Sequence, residues 1–212
     1  MTKQKGNKRI ALEFGLTIII ICSVTAIICA LILFFPSCEK AEEFKYYAVG
    51  KKYADELSAS TSAHSEINNG RAGLVAKVQG GHFLIYAIYT LKEDANMVAE
   101  RLKAEVNEFS FSYNFQMDKQ EQAYFQALCV FASDTEKLWR ELDEMSTSES
   151  LVKNVLTEYA LNFSRADSER LNTIFDELKT EILFAVASTD SLLSARVKKI
   201  SALTVLRLSE IA

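Results

Sequence analysis

The chain has 212 residues, of which 49% are hydrophobic and 25% charged, with one proline and seven glycines. This composition is typical of an ordered protein and excludes a low-complexity chain. The charge is unevenly spread, since residues 1–9 hold four basic residues and no acid, while the residues after Cys38 hold 20 basic and 27 acidic ones. Such an acidic body argues against a nucleic-acid partner, because phosphate binding needs a basic surface.

The first predicted element is a membrane anchor. Residues 14–35, FGLTIIIICSVTAIICALILFF, form a run of 22 residues without a charge. As a helix this run would be roughly 33 Å long, enough to cross a hydrocarbon core. A cleaved signal peptide has a shorter apolar run. We therefore expect a basic cytoplasmic N-terminus (1–9), an uncleaved transmembrane anchor (10–36), a juxtamembrane linker (37–43) and everything after it outside the cell membrane.

One alternative concerns the end of this anchor. FPSC, at residues 35–38, resembles a lipoprotein cleavage box, in which Cys38 would carry the lipid. Proline and the preceding phenylalanine fit such a box poorly, so the uncleaved anchor is the preferred prediction.

Residues 44–117 predict a small α+β domain. FKYYAVG (44–50) is typical of a strand, and Leu57, Ala63 and Ile67 follow at helical spacing. Two extended runs, 73–78 and 82–90, flank Gly80 and Gly81, which predicts a hairpin. A helix from Lys92 to about Val106 and a strand over 109–117 complete the order β-α-β-β-α-β. This order is that of a ferredoxin-like unit, an antiparallel sheet with both helices on one face.

The last of these strands suggests a binding surface. FSFSYNFQM (109–117) alternates aromatic and polar residues, so one side of it is buried. If the aromatic side faces the two helices, Ser112, Asn114 and Gln116 lie on an open face, together with Tyr86 and also Tyr47. Amides, hydroxyls and aromatic rings suit sugar ligands. However, Leu84 and Ile88 would share this face, and coverage of it by the C-terminal helices is an equal alternative.

Residues 118–212 predict an antiparallel helical region. A heptad-like seam runs through the first helix, with apolar residues and one threonine at alternating spacings of four and three: Tyr124, Leu128, Phe131, Thr135, Leu138, Leu142 and Met145. Asp118 is expected to cap this helix. Ser146 or Thr147 would cap a second helix (149–163), Ser164 or Asp167 would begin a third, and a fourth would run from Ser191 to about Leu208.

No pattern in the sequence predicts catalysis. Neither His64 nor His82 has a carboxylate at a spacing that would predict a catalytic pair. The paired acidic residues are adjacent in sequence, so they lie on different faces of a helix. The sequence contains no CxxC motif and no phosphate-binding loop. We therefore predict a protein that is not an enzyme and has no catalytic residues, cofactor or metal.

Two segments carry a resemblance to a known family. AIYTLKEDANMVAERL (87–102) has a strand ending in an aromatic residue and then a helix of the pattern A-x-x-V-A-x-x-L, and YYAVGKKY (46–53) corresponds to it in the first half. Together with the anchor, this unit resembles the SPOR domains. Ala87 and Ile85 depart from the glycine and glutamine of the usual pattern.

The resemblance implies a function. SPOR domains bind peptidoglycan glycan strands stripped of their stem peptides, at bacterial division sites or in sporulation envelopes. It therefore implies a single-pass cell-envelope protein whose partner is a glycan strand. The alternative is a membrane-tethered scaffold, in which the heptad-like seam binds another protein or a second copy of the chain.

Overall fold

The computed structural model describes residues 43–112, 117–163, 166 and 168–212. Within them lie the four strands β1 (Glu43–Tyr53), β2 (Leu74–Val78), β3 (Gly81–Tyr89) and β4 (Glu105–Ser112). The helices are α1 (Glu56–Asn68), α2 (Lys92–Leu102), α3 (Lys119–Asp143), α4 (Glu149–Asn162), α5 (Glu169–Ala187) and α6 (Asp190–Ile211). The predicted α+β class and the order β-α-β-β-α-β are therefore confirmed. The strand order is β2-β3-β1-β4, with every neighbouring pair antiparallel.

The predicted membrane anchor, residues 10–36, lies outside the described residues, as do the basic N-terminus and most of the linker. Among the residues that are described, no helix is both long enough and apolar enough to span a bilayer.

Glycines shape the sheet at two places. The predicted hairpin turn between β2 and β3 consists of Gln79 and Gly80, and Gly81 begins β3. Gly80 and Gly81 have φ angles of 78° and 147°, values that favour glycine. Gly50 is required for a different reason, since a Cβ atom there would lie 2.1 Å from the Leu84 carbonyl oxygen of β3. Any side chain at position 50 would push the two central strands apart.

The last strand begins earlier than predicted. Helix α2 ends at Leu102 rather than near Val106, because Lys103 adopts the left-handed conformation with φ 52° and turns the chain. Strand β4 then starts at Glu105 instead of Phe109 and ends at Ser112. Residues 113–116, which include Asn114 and Gln116, lie outside the described residues.

The two faces of the sheet follow from the strand pairing. Phe44 pairs with Phe111 and Tyr46 with Phe109, so these four residues share one side, the aromatic face. Tyr47 pairs with Tyr89 and Val49 with Ala87 on the other side. The Lys92 ammonium, at the start of α2, lies 5.9 Å from the Tyr47 ring centroid. Helices α1 and α2 therefore cover the face opposite to the aromatic one, the α1/α2 face.

The predicted orientation of the last strand is wrong for this reason. Phe111 does not face α1 and α2 but meets Phe125 of α3 edge-on, with ring centroids 5.9 Å apart. Tyr46 donates a hydrogen bond of 3.2 Å to the Cys129 carbonyl oxygen, also in α3. Helix α6 packs along α3 and contacts β2, β3 and β4. The C-terminal helices thus cover the aromatic face, and α1 and α2 cover the other.

The helical region has the predicted number of helices and joins the sheet in one compact unit, Glu42–Ala212. Asp118 caps α3 as predicted, accepting from the backbone N–H groups of Gln120 and Glu121. The cap of α4 is Ser148 rather than Ser146 or Thr147. In the heptad-like seam Leu128, Phe131 and Thr135 are buried within the unit, whereas Met145 is 91% exposed. The side chains of the seam therefore pack mainly against other residues of the same chain.

Candidate functional site

A cleft of about 460 Å³ opens on the α1/α2 face. Val49, Ala87 and Tyr89 form its floor, and Met97, Val98, Arg101 and Leu102 of α2 form one wall. The opposite side consists of the turn after α1 (Asn69, Gly70 and Arg71), the C-terminal end of α3 (Trp139, Arg140, Asp143 and Glu144) and Lys198 from within α6. This volume lies within the range of small-molecule sites.

Tyr86 lies in the cleft because of a β-bulge. Val49 pairs with Ala87, but the next residue, Gly50, pairs with Ile85, so Tyr86 is an extra residue in β3. Its side chain is 7% exposed, and the Arg71 guanidinium lies over the ring at 4.3 Å from the centroid. Burial, followed by the neighbouring Glu66 carboxylate, raises the pKa of Tyr86. Tyr86 is thus part of the wall rather than an exposed platform.

A charged clamp connects the floor of the cleft to α3. Arg140 donates to Asp94 of α2 at 2.6 Å and to Glu136 at 3.2 Å, and Glu136 accepts from the backbone N–H of Thr90 at 2.8 Å. The Glu136 carboxylate is buried, and these bonds provide the hydrogen-bond donors that a buried carboxylate needs. The hydrogen bond to Asp94 is also the main reason that the pKa of Arg140 is raised.

Lys198 makes a second connection on the far side of the cleft. Its ammonium donates to the Gly70 carbonyl oxygen at 2.8 Å and lies 2.7 Å from the Asp143 carboxylate. The same ammonium lies 5.1 Å from the centre of the Trp139 ring. Trp139 in turn meets Tyr89 edge-on, with ring centroids 5.3 Å apart. Helices α3 and α6 are therefore fixed to the end of β3 and to the turn after α1.

Of the predicted site residues, the two that the structure describes, Tyr86 and Ser112, are not brought together. Tyr86 lines the cleft next to Val49, whereas Ser112 pairs with Glu43 at the other end of β1. Six residues of strand separate these positions along β1, which is about 20 Å. Tyr47 lies under α2 and does not line the cleft. Asn114 and Gln116 lie outside the described residues.

Sequence reasoning missed most of the residues that line the cleft. Arg71 stands in NNGRAG (68–73), a stretch typical of a turn that ends a helix, and Arg101 is one turn after Met97 on α2. That spacing of four residues is a signal for a shared helix face. No local pattern indicates that Trp139, Arg140 and Lys198 line the same cleft as Tyr86, because they are 53, 54 and 112 residues away in the chain.

The two histidines do not line the cleft. His82 is on β3, with Nε2 3.8 Å from the Glu56 carboxylate, and His64 is exposed on α1. Within the described part of the chain, no group of three or more histidine, cysteine or acidic residues could hold a metal ion. The cleft itself offers guanidinium, carboxylate, amide and aromatic groups, which can bind a polar ligand through hydrogen bonds and ion pairs.

Comparison with known proteins found no match to this chain. No family model matches the chain, and neither a curated protein nor a solved structure matches it.

Proposed function

We propose that the protein is a non-enzymatic cell-envelope protein that binds a glycan, with peptidoglycan strands as the first candidate, in cell division or sporulation. In this proposal a single-pass anchor with a cytoplasmic N-terminus holds the chain in the cell membrane, and the unit containing the sheet lies outside. The resemblance to SPOR domains supports the proposal, and so does the element order β-α-β-β-α-β, which that resemblance implies.

The observation that carries the proposal is the cleft. It combines aromatic rings with groups that donate to and accept from hydroxyls, a combination suited to sugars. Both faces of the sheet are covered by helices, so the ligand enters between α2 and the turn after α1 instead of lying on an open sheet. Arg101, Asn69 and the half-exposed Met97 supply polar and apolar contacts at the entrance.

Retention on purified murein sacculi tests this function. The full chain in detergent is expected to sediment with the sacculi. Met97→Trp, which fills the entrance from an exposed position, is expected to reduce the bound fraction severalfold. Leu57→Trp is the matched control, because Leu57 is 78% exposed on α1 and does not line the cleft. A native chain that stays in the supernatant contradicts the function, and equal retention of the two variants contradicts the site.

A scaffold is the second candidate. One observation favours it: Leu161, Leu183 and Phe184 are 79%, 65% and 54% exposed on α4 and α5. In this case copies of the chain associate through these helices. Mass measurement of the full chain in nanodiscs separates the two functions, since Phe184→Glu lowers the mass to that of a single copy only if the helices associate.

A further inference from the structure

Arg101 is the cation of the cleft that has no counter-ion in the described part of the chain. Four basic and three acidic side chains line the cleft. Arg140 is paired with Asp94, Lys198 with Asp143, and Arg71 with Glu66 outside the lining. Arg101 makes no ion pair with a described residue, and its one hydrogen bond is a 3.4 Å contact from Nε to the Met97 carbonyl oxygen. Its guanidinium fork therefore remains available.

The position of Arg101 matters because the rest of the outer chain is acidic. After Cys38 acidic residues outnumber basic ones by 27 to 20, so an anionic ligand needs a cation at its binding site to offset the repulsion of the surrounding acids. A guanidinium presents five N–H donors in a planar fork that matches the two oxygens of a carboxylate. Hydrogen bonds between these charged groups are about twice as strong as those between neutral ones.

We infer that the cleft selects glycans that carry a carboxylate, and that Arg101 binds this group. The inference rests on the proposed function and names the chemistry of its ligand. Two sources of such sugars exist in an envelope. Removal of a stem peptide by hydrolysis of its amide leaves a carboxylate on the murein sugar, and polymers of uronic acids carry one on the ring itself.

Glu144 carries the same negative charge as this ligand, so its replacement should change the affinity in the opposite direction to the replacement of Arg101. It lines the cleft and makes no ion pair with a described residue. A carboxylate ligand would be repelled by Glu144 and attracted by Arg101. Replacing Glu144 by glutamine should therefore strengthen binding, whereas replacing Arg101 by glutamine should weaken it.

The test compares three soluble probes on the full chain in detergent: murein strands without stem peptides, the same strands with their carboxylates converted to amides, and oligogalacturonate. We expect the native chain to bind the acidic strands roughly tenfold or more tightly than the amidated ones, since charged hydrogen bonds contribute this much. Arg101→Gln should remove the preference, Arg101→Lys should keep part of it, and Glu144→Gln should increase it. Lys137→Gln removes the same charge from an exposed site outside the cleft and should leave it unchanged.

The outcomes separate the inference from the function on which it rests. Equal affinity for acidic and amidated strands overturns the inference and leaves glycan binding in place. Absence of binding to every probe overturns both. Tight binding of oligogalacturonate identifies uronic-acid polymers as a source, whereas binding of the acidic murein strands alone identifies murein. A preference that survives in Arg101→Gln shows that another group binds the carboxylate.

Discussion

At the scale of single residues, Tyr89 shows how the covered sheet alters side-chain chemistry. Its ring is 5% exposed, between Trp139 on one side and Arg140 at 6.0 Å on another. Burial raises the pKa of Tyr89 to about 12, even though the Arg140 guanidinium acts in the opposite direction. Desolvation of the phenolate thus outweighs the attraction of a nearby cation.

This shift predicts a loss of stability at alkaline pH. In the unfolded chain a tyrosine has a pKa of about 10, so the stabilisation from Tyr89 is complete below pH 10 and is lost as the pH rises to 12. The expected loss is about 2 kcal/mol for this group. Chemical denaturation of the full chain at pH 9 and pH 11.5 measures it. In Tyr89→Phe the loss should be smaller, and an equal loss in both proteins would show that Tyr89 is not responsible.

At the scale of elements, the helices begin with unequal caps. Asp118 accepts two backbone N–H bonds of 2.8 Å at the start of α3, whereas Ser168 makes no side-chain cap bond at the start of α5. A carboxylate at this position also interacts favourably with the helix dipole. The cap of α3 fixes where the chain turns from the sheet into the helix that covers the aromatic face.

Substitution of the two capping residues should therefore have different effects. Asp118→Ala is expected to lower the free energy of unfolding by about 1 kcal/mol, because two N–H groups lose their acceptor. Ser168→Ala, the matched control, is expected to change it by less than about 0.5 kcal/mol. Urea denaturation of both variants measures the difference. Equal effects would mean that the side-chain bonds of Asp118 contribute nothing to stability.

At the scale of the whole molecule, sheet and helices stabilise each other. The aromatic face is covered by α3 and α6, and Phe125 of α3 is fully buried against Phe111 of that face. Trp139 lies where the two parts meet, in contact with Tyr89 of β3. Neither part can expose the shared face to water without losing the burial of many apolar side chains.

We therefore expect the unit Glu42–Ala212 to unfold in a single transition. Trp139 is the only tryptophan in the chain, so its fluorescence reports on the contact between α3 and β3. The midpoint of the fluorescence change in guanidinium chloride should coincide with the midpoint of the far-ultraviolet circular dichroism change. A fluorescence change that precedes the loss of secondary structure would show that the helical region separates from the sheet first.

Local signals made part of this fold predictable from the sequence. The alternation in β4, the paired glycines of the hairpin and the aspartate that caps α3 each act within a few residues. The face of β4 could not be predicted, because it depends on Phe125, which lies 14 residues after Phe111 in a separate helix. The end of α2 at Lys103 was missed for another reason, since lysine rarely adopts the left-handed conformation.

The candidate site was harder to predict than the fold. Tyr86 was identified, but as part of an open sheet, since a bulge of one residue leaves no mark in the sequence. The other groups of the cleft come from α2, α3 and α6, and only the three-dimensional arrangement joins them. Arg101 became a candidate through a missing ion pair, which is a property of the folded chain and not of its sequence.

The position of α6 also affects how the protein is made. Its 22 residues follow all four described strands in the chain, and they complete the cover over three strands of the sheet. Until α6 has been synthesised, the aromatic face of that sheet stays partly accessible to chaperones and to other nascent chains. A premature stop near Ser188 would therefore leave the aromatic face partly uncovered, and the fragment would be prone to aggregate.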